Sequence, residues 1–330
     1  MNLLITGGAG FIGANFAHYA LRHGHSVLVY DLMTYAGNPK NVEGLKHFVH
    51  GDIQDAKMLD EVFVHGIAGV PFDAVINFAA ESHVDRSISL VLPFVETNVL
   101  GAVTVLEAAR RNGVERFVQI STDEVYGSIE GTGKFTRSSC LKPSSAYSAS
   151  KAAADHLLLS YHHTHDFDVR VTRCTNNYGR FQHPEKFIPM IISSALAGHP
   201  IPIFGDGRQI RDWIFVEDHC AGILAVLECG NPGGIYHFAG PGIDANDVGI
   251  SNIELVHLVL RILAEESGHE LSEFTSLIRN VADRPGHDRR YALDWSESAV
   301  ELGWRPQVIL EDGLRRTVAW WLANQNWWNG

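Results

Sequence analysis

Cysteine is scarce in this chain. Four stand among 330 residues, Cys140, Cys174, Cys220 and Cys229, and none is in C-x-x-C spacing with another. They read as reduced thiols of a cytoplasmic protein. Positive charge is also in deficit: 26 Lys and Arg face 38 Asp and Glu, a net charge of −12. That balance argues against wholesale binding to nucleic acid or to an anionic membrane. It leaves room for a small anionic ligand held by a local Arg cluster. No apolar run is expected to approach membrane-spanning length, and no internal repeat or low-complexity segment is present. With an apolar strand expected from Asn2, no signal peptide is expected. What remains is 45% hydrophobic and 19% charged. This is the composition of a globular protein with a sizeable core, in one large or two ordinary domains.

The apolar run Asn2–Thr6 leads into Thr6-Gly7-Gly8-Ala9-Gly10-Phe11-Ile12-Gly13. A strand, a turn with glycines at Gly7, Gly10 and Gly13, and a helix make a dinucleotide cradle. The first glycine allows the tight turn, the second admits a pyrophosphate, and the third lets the helix pack on the sheet. The helix start near Phe11 aims its amides at the phosphates. A second strand, Ser26 to Tyr30, ends at Asp31. A carboxylate there accepts both ribose hydroxyls and repels a 2′-phosphate, and Leu32 and Met33 offer no Arg to bind one. NAD is therefore expected over NADP. Asp52, after a third strand at Lys46–Val49, either caps the next helix or contacts the adenine.

Further strands are expected at Ala74–Phe78, Glu115–Ile120 and Val169–Thr172, with a long helix from Pro93 to Asn112 between the first two. Alternating strands and helices predict a doubly wound parallel α/β sheet. After Arg173 turn formers, aromatics and Arg become frequent. The expected domains are residues 1–173, a dinucleotide-binding Rossmann domain carrying the chemistry, and 174–330, a smaller mixed α/β substrate domain. Some of the latter's segments are expected to return to the first. Helices are expected near Pro189–Gly198, Glu217–Cys229, Ile253–Ser267 and Leu310–Asn324.

Two clusters carry the chemistry. Ser121-Thr122-Asp123-Glu124 follows the fifth strand, at the sheet edge where ligands bind. Two carboxyl groups in different environments serve as acid and base. Tyr147 and Lys151 fall one helical turn apart on one face, in a helix that starts after Pro143-Ser144-Ser145. An adjacent ammonium is expected to ease loss of the phenol proton, making Tyr147 a base toward an alcohol. Alone, each pattern reads as a solvated surface; together with the cradle they read as a catalytic site. His162, His163 and His165 read as helix-end residues on the dipole, and no metal is expected. Trp320, Trp321, Trp327 and Trp328 read as packing for the terminal helix.

These residues resemble the nucleotide-sugar dehydratases of the extended short-chain dehydrogenase/reductase superfamily. The resemblance runs over the whole chain. It is carried by Gly7–Gly13, Thr34-Tyr35-Ala36-Gly37-Asn38, Asn77–Ser87, Ser121–Gly127, Tyr147–Lys151, Arg173–Gly179, Pro184-Glu185-Lys186, Gly205-Asp206-Gly207, Arg211-Asp212-Trp213 and Asp283–Tyr291. The glycine motif and the Tyr/Lys pair belong to the superfamily; the Thr-Asp-Glu triplet is what sets dehydratases apart from epimerases. The stretch Gly240–Ser251 is longer than the family's loop before the residue aligned as Asn252.

The resemblance implies an NAD-dependent hydro-lyase of deoxysugar biosynthesis, acting on a nucleotide-diphospho-glucose, with dTDP-glucose first in line. It implies catalytic roles for Thr122, Asp123, Glu124, Tyr147 and Lys151. Its NAD contacts would be Gly7, Gly10, Phe11, Ile12, Gly13, Asp31, Thr34, Asp52, Ile53, Ala79, Ala80, Thr97 and Asn177, together with Tyr147 and Lys151. Its sugar-nucleotide contacts would be Ser82, Thr122, Asn176, Lys186, Phe187, Pro202, Phe204, Arg211, Asn252, Arg284 and His287. Arg211 and Arg284 suit a diphosphate because guanidinium binds it in a bidentate way. The family further implies a cytoplasmic homodimer pairing the Leu100–Arg110 and Tyr147–His163 helices, with no nucleic-acid or membrane partner. A nucleotide-sugar epimerase or decarboxylase is the alternative on the same fold. A non-catalytic NAD sensor or scaffold is the alternative from another class.

Overall fold

The computed structural model of the chain describes residues 1–129, 131–242, 249–283 and 286–327. Its strands are β1 (Asn2–Thr6), β2 (Ser26–Asp31), β3 (His47–His50), β4 (Ala74–Asn77), β5 (Arg116–Thr122), β6 (Asp168–Cys174), β7 (Asn176–Tyr178), β8 (Ile201–Phe204), β9 (Ile210–Arg211), β10 (Trp213–Phe215), β11 (Ile235–Phe238), β12 (Ile250–Ser251) and β13 (Ile278–Val281). Its helices are α1 (Phe11–Arg22), α2 (Ala56–His65), α3 (Val84–Ser89), α4 (Leu92–Val95), α5 (Ala102–Arg111), α6 (Ala146–His165), α7 (Phe187–Ala197), α8 (Val216–Cys229), α9 (Asn252–Ser267), α10 (Leu271–Thr275), α11 (Ser296–Leu302) and α12 (Leu310–Ala323).

Seven of the strands form one parallel sheet, ordered β11-β6-β5-β4-β1-β2-β3. The chain starts in the middle and winds both ways, so β1 and β4 flank a switch of direction, where such sheets bind ligands. Successive side chains of one strand serve opposite faces. Leu3 and Ile5 pack with Phe16 and Ala20 of α1 and Ile223 and Leu227 of α8. Leu4, between them, packs with Leu59 of α2, Val105 of α5 and Leu158 of α6. Both faces are covered, which is why these strands read as unbroken apolar runs. The middle strands are also tied by side chains: Thr6 donates to Asn77, whose Nδ2 donates to Gln119 Oε1 at 2.7 Å.

The seventh strand, β11, comes from far down the chain and pairs with β6, Phe238 opposite Cys174. Residues after 174 also build a separate core from α7, α9 and α12, with Ile191, Leu255, Leu260 and Leu314 fully buried. Short two-stranded pairs form here, β7 with β10, β8 with β13 and β9 with β12, and β10 touches both cores, with Ile214 on the sheet's side and Trp213 and Phe215 on the other. Trp320, Trp321 and Trp327 pack against one another and Phe181. Trp327 Nε1 donates to Asn41 Oδ1 at 3.1 Å, so the tail braces the loop after β2. Trp328 lies outside the described residues.

The helix expected from Pro93 to Asn112 is interrupted by a π turn at Glu96–Gly101 between α4 and α5. The combined run, Leu92–Arg111, is by length and composition apolar enough to cross a membrane. This corrects the expectation that no run comes near that length. The reason is that the run is apolar on two sides at once. Phe94, Ala102, Val105 and Leu106 are buried in the core, while Leu92, Val95 and Leu100 are exposed.

Candidate active site

The cradle forms because its glycines tolerate what a side chain would not. Gly7 has φ +68°, and a Cβ there would lie 2.5 Å from the Ala79 amide nitrogen. A Cβ on Gly13 would lie 2.3 Å from the Gly7 carbonyl oxygen, so α1 docks tightly on the turn. Gly10, at the N-cap of α1, gives that helix start no side-chain cap, which leaves its amides for a ligand. At the end of β2, Asp31 accepts from the Ala9 amide at 2.9 Å and the Met33 amide at 2.7 Å. Burial holds this carboxyl above its ordinary value, and those two amides oppose the rise.

These residues line one cavity of about 380 Å³ that also reaches the expected catalytic groups. Every NAD contact expected from sequence lies on its wall: Gly7, Gly10, Phe11, Ile12, Gly13, Asp31, Thr34, Asp52, Ile53, Ala79, Ala80, Thr97, Tyr147, Lys151 and Asn177. The choice left open for Asp52 is settled against the helix cap. Asp55 caps α2 through Met58, while Asp52 Oδ1 takes the Gln54 amide at 2.9 Å and faces the cavity. The residues present fit a dinucleotide: uncapped amides, a glycine floor and an acid at the strand end.

On the catalytic side, α6 starts where sequence places it. Ser145 and Ser148 form a reciprocal capping box. Lys151 is buried, and its Nζ donates to the Ile120 carbonyl at 2.6 Å. Tyr147 shares a hydrogen bond with Thr122, and its ring meets Phe94 edge to face at 6.4 Å between centroids. Burial, then Glu124, Cys174 and Asp123, push the phenol well above its ordinary value. The easing of proton loss expected from the Lys151 ammonium is thus outweighed by burial and the neighbouring acids. Burial depresses Lys151 itself, and Asp155 opposes that drop. The π turn has a use here: Asn98 Nδ2 donates to Ser150 Oγ at 2.9 Å, and Asn98 Oδ1 accepts from the Glu81 amide at 2.8 Å.

The acid pair is split by its surroundings. The chain leaves β5 in a short 3-10 turn, Asp123–Tyr126, capped by Thr122 accepting from the Glu124 amide. Asp123 points inward and is 3% exposed, whereas Glu124 stays partly open. Burial first, then the neighbouring Glu124, raise the Asp123 carboxyl well above its ordinary value. Its Oδ1 takes the Thr122 hydroxyl at 3.2 Å, and its buried Oδ2 has no partner among the described residues. An acid that holds its proton more tightly beside another in a wetter place is suited to act as the proton donor of the pair.

The expected substrate contacts divide. Ser82, Thr122, Asn176 and Lys186 line the cavity, with Lys186 Nζ donating to the Ser82 carbonyl at 3.3 Å. Phe187, Pro202, Phe204, Arg211, Asn252 and His287 do not line it. They lie on the second core's side: Phe187 opens α7, Pro202 and Phe204 are on β8, and the Asn252 amide donates to Gln209 O. His287 pairs with Asp283 at 2.7 Å. Arg211 is buried, bonds the Ile210 and Asp288 carbonyls at 2.8 Å each, and lies 4.4 Å from the Tyr291 ring centre. It still reaches the site electrically, since its charge lowers the Asp123 carboxyl. Arg284 lies outside the described residues. Sequence reading assigned no contact to Gln182, His183 and Glu185, which line the cavity. Glu185 lies in the Pro184-Glu185-Lys186 motif, and Gln182 and His183 stand just before it, which is the signal that could have flagged them. Among the described residues no group of His, Cys, Asp and Glu is arranged to hold a metal ion.

A dinucleotide cradle and a base with two unlike acids, sharing one cavity, are what an enzyme needs to oxidise a bound alcohol and then rearrange it. Comparison with known proteins agrees on the class: the chain belongs to the GDP-mannose 4,6 dehydratase family, whose model matches residues 4–317. A dTDP-glucose 4,6-dehydratase of Xanthomonas campestris pv. campestris is 45% identical over 342 residues, covering 99% of this chain and 95% of that one. DesIV, a dTDP-glucose 4,6-dehydratase from Streptomyces venezuelae crystallised with NAD and dTDP, shares 47% identity and a TM-score of 0.89 over 99% of both chains. A UDP-glucose 4-epimerase from Thermotoga maritima has a TM-score of 0.88 at 26% identity, over 98% of this chain and 100% of that one.

Proposed function

We propose that the chain dehydrates dTDP-glucose to the 4-keto-6-deoxy sugar by an internal redox cycle. The observation that carries this reading is the buried, raised Asp123 beside the more open Glu124, next to Thr122 and Tyr147. NAD, the cofactor named in the solved relatives, would take the C4 hydride and give it back to C6, while C5 regains a proton from Glu124. Tyr147, once its own proton has gone to solvent, takes as phenolate the proton from the sugar 4-hydroxyl, with Thr122 bonding the same oxygen. The 4-ketone acidifies the C5 proton, and Glu124 removes it. Asp123, neutral beforehand, gives its proton to the departing 6-hydroxyl. Lys151 supplies the buried positive charge. Ser82, Asn176 and Lys186 hold the sugar nucleotide, and Arg211 and Arg284 its diphosphate.

An epimerase or decarboxylase needs the Tyr147/Lys151 pair without both acids, so the triplet favours the dehydratase. The chain divides by function at about residue 173, the first part binding NAD and the second mainly the nucleotide. A second copy of the chain is the expected partner. Leu90, Leu92, Leu100 and Leu157 are exposed on the α4–α5 and α6 side, an apolar surface that pairing of these helices would cover. Four free thiols accord with a cytoplasmic setting.

The test is a labelled turnover. Product made in deuterated water is expected to carry deuterium at C5. The hydrogen that began on C4 is expected on C6 of the same molecule. An epimerase returns that hydrogen to C4; a simple dehydrogenase releases NADH and the keto sugar. Hydride anywhere but C6 sinks the mechanism.

A further inference from the structure

Beneath the site runs a buried polar chain that the reaction itself does not use. Asp155 lies one helical turn beyond Lys151 on α6 and is fully buried. Its Oδ2 takes the Ser121 hydroxyl at 3.0 Å and Arg173 Nε at 2.9 Å. Arg173, on β6 and also buried, turns its NH1 to the Tyr126 hydroxyl at 2.6 Å. That hydroxyl meets His237 Nε2 at 2.8 Å, and His237 Nδ1 meets the Asp294 carbonyl at 2.9 Å. Because a carbonyl only accepts, the imidazole carries its proton on Nδ1. Tyr126 therefore donates to Nε2 and accepts from Arg173.

The two ends of this chain are catalytic neighbours. Asp155 shares a helix face with Lys151. Tyr126 closes the short turn that carries Asp123 and Glu124. Arg173 is thus the bridge between the element holding the oxidation base and the element holding the elimination pair. A buried ion pair is weak evidence for stability, since desolvating both charges costs about as much as their attraction returns. Its place here points to a different use.

We propose that Asp155 and Arg173 are positioning residues: Asp155 keeps Lys151 charged, and Arg173, through Tyr126, holds the Asp123–Glu124 turn in register with it. This rests on the catalytic roles given above. The groups facing Lys151 are the Ile120 carbonyl from β5, the Cys174 thiol from β6 and Asp155 from its own helix. Burial pushes the Cys174 thiol up to about 12, so it is uncharged at working pH. Tyr147, a turn earlier, gives up its proton less readily because it is buried. Asp123 and Glu124 act on Tyr147, and Arg173 reaches Lys151 only across Asp155. Asp155 is the anion in this set that favours the ammonium, against the burial that disfavours it.

The experiment follows NADH formation on the enzyme in single turnovers across pH. Asp155→Asn is expected to move the high-pH limb down by about one unit, the usual effect of one opposite charge at this range. The KM for the sugar nucleotide is expected to stay within about threefold, because Asp155 touches no ligand. Asp155→Glu is expected to restore the limb. A limb unmoved in Asp155→Asn, with only the amplitude reduced, overturns the proposal. Should Asp155→Asn not fold, Tyr126→Phe decides. Its ring is held by stacking on Phe135 at 4.9 Å, so only the hydroxyl is lost. Elimination is then expected to slow about tenfold while oxidation holds, and NADH to accumulate. Equal rates of both steps in that variant overturn the proposal too. Failure of the dehydratase reading would instead appear in the wild-type label at C6, which this inference does not affect.

Discussion

Replacing Asp123 by Asn should damage catalysis and improve relative stability as pH rises. The carboxyl is 3% exposed and is raised by burial and by Glu124. Asparagine keeps the size and the oxygen that takes the Thr122 hydroxyl at 3.2 Å, but has no proton to give. A positioned acid contributes about 10²–10⁴ in rate, equivalent to about 3–5 kcal/mol of barrier. Oxidation uses Tyr147 and should survive, so NADH and the keto sugar should collect on the variant. The stability sign follows from linkage. Above the ordinary Asp pKa of about 3.9 the unfolded chain has released this proton and the folded chain keeps it. Wild-type stability therefore falls with rising pH on account of this residue, by about 1.4 kcal/mol per unit of elevation. The amide does not titrate. Its own packing cost is the same at every pH and cancels in the comparison. The difference in Tm, variant minus wild type, should climb as pH rises from about 4 toward neutrality. Thermal scans across pH measure it, beside stopped-flow NADH absorbance. A flat or falling difference refutes the buried-acid reasoning; turnover near wild type refutes the role in elimination.

Asp31→Ala should weaken NAD and relax rejection of NADP, read by titrating both cofactors into stripped protein; an unchanged preference ends that assignment. Arg211→Ala should raise the KM for the sugar nucleotide about tenfold to a hundredfold and lower Tm, because the guanidinium also ties the Ile210 and Asp288 carbonyls. An effect on kcat alone would assign it another task. His219 and His237 are buried, with burial lowering them to about 3 and about 4. Both stay neutral when folded but bind protons when unfolded below about 6.5. Stability present above that pH should fall by up to about 1.4 kcal/mol per unit per histidine between 6.5 and 4. Denaturant midpoints that do not change over this window would contradict it.

Local chemistry decided much of this protein. The turn after β1 follows from glycines at positions where a Cβ would strike backbone, and neighbours in sequence are enough to specify it. The start of α6 follows from Ser145 and Ser148, and the parallel sheet from apolar runs covered on both faces. Those features alone place Tyr147, Lys151 and the triplet at one sheet edge. Burial is different, because it depends on what the rest of the chain packs around a group. Only the tertiary structure separated Asp123 from Glu124, and only it showed burial raising Tyr147 against the easing expected from Lys151. Contacts between distant segments were equally silent in sequence. Arg173 and Asp155 lie on different elements, joined by a hydrogen bond no spacing announces. β11 completes the sheet from residues 235–238, and Arg211 acts on Asp123 across the fold. Periodicity and turn chemistry are written in neighbouring residues; desolvation and charge coupling exist only once the chain has closed on itself.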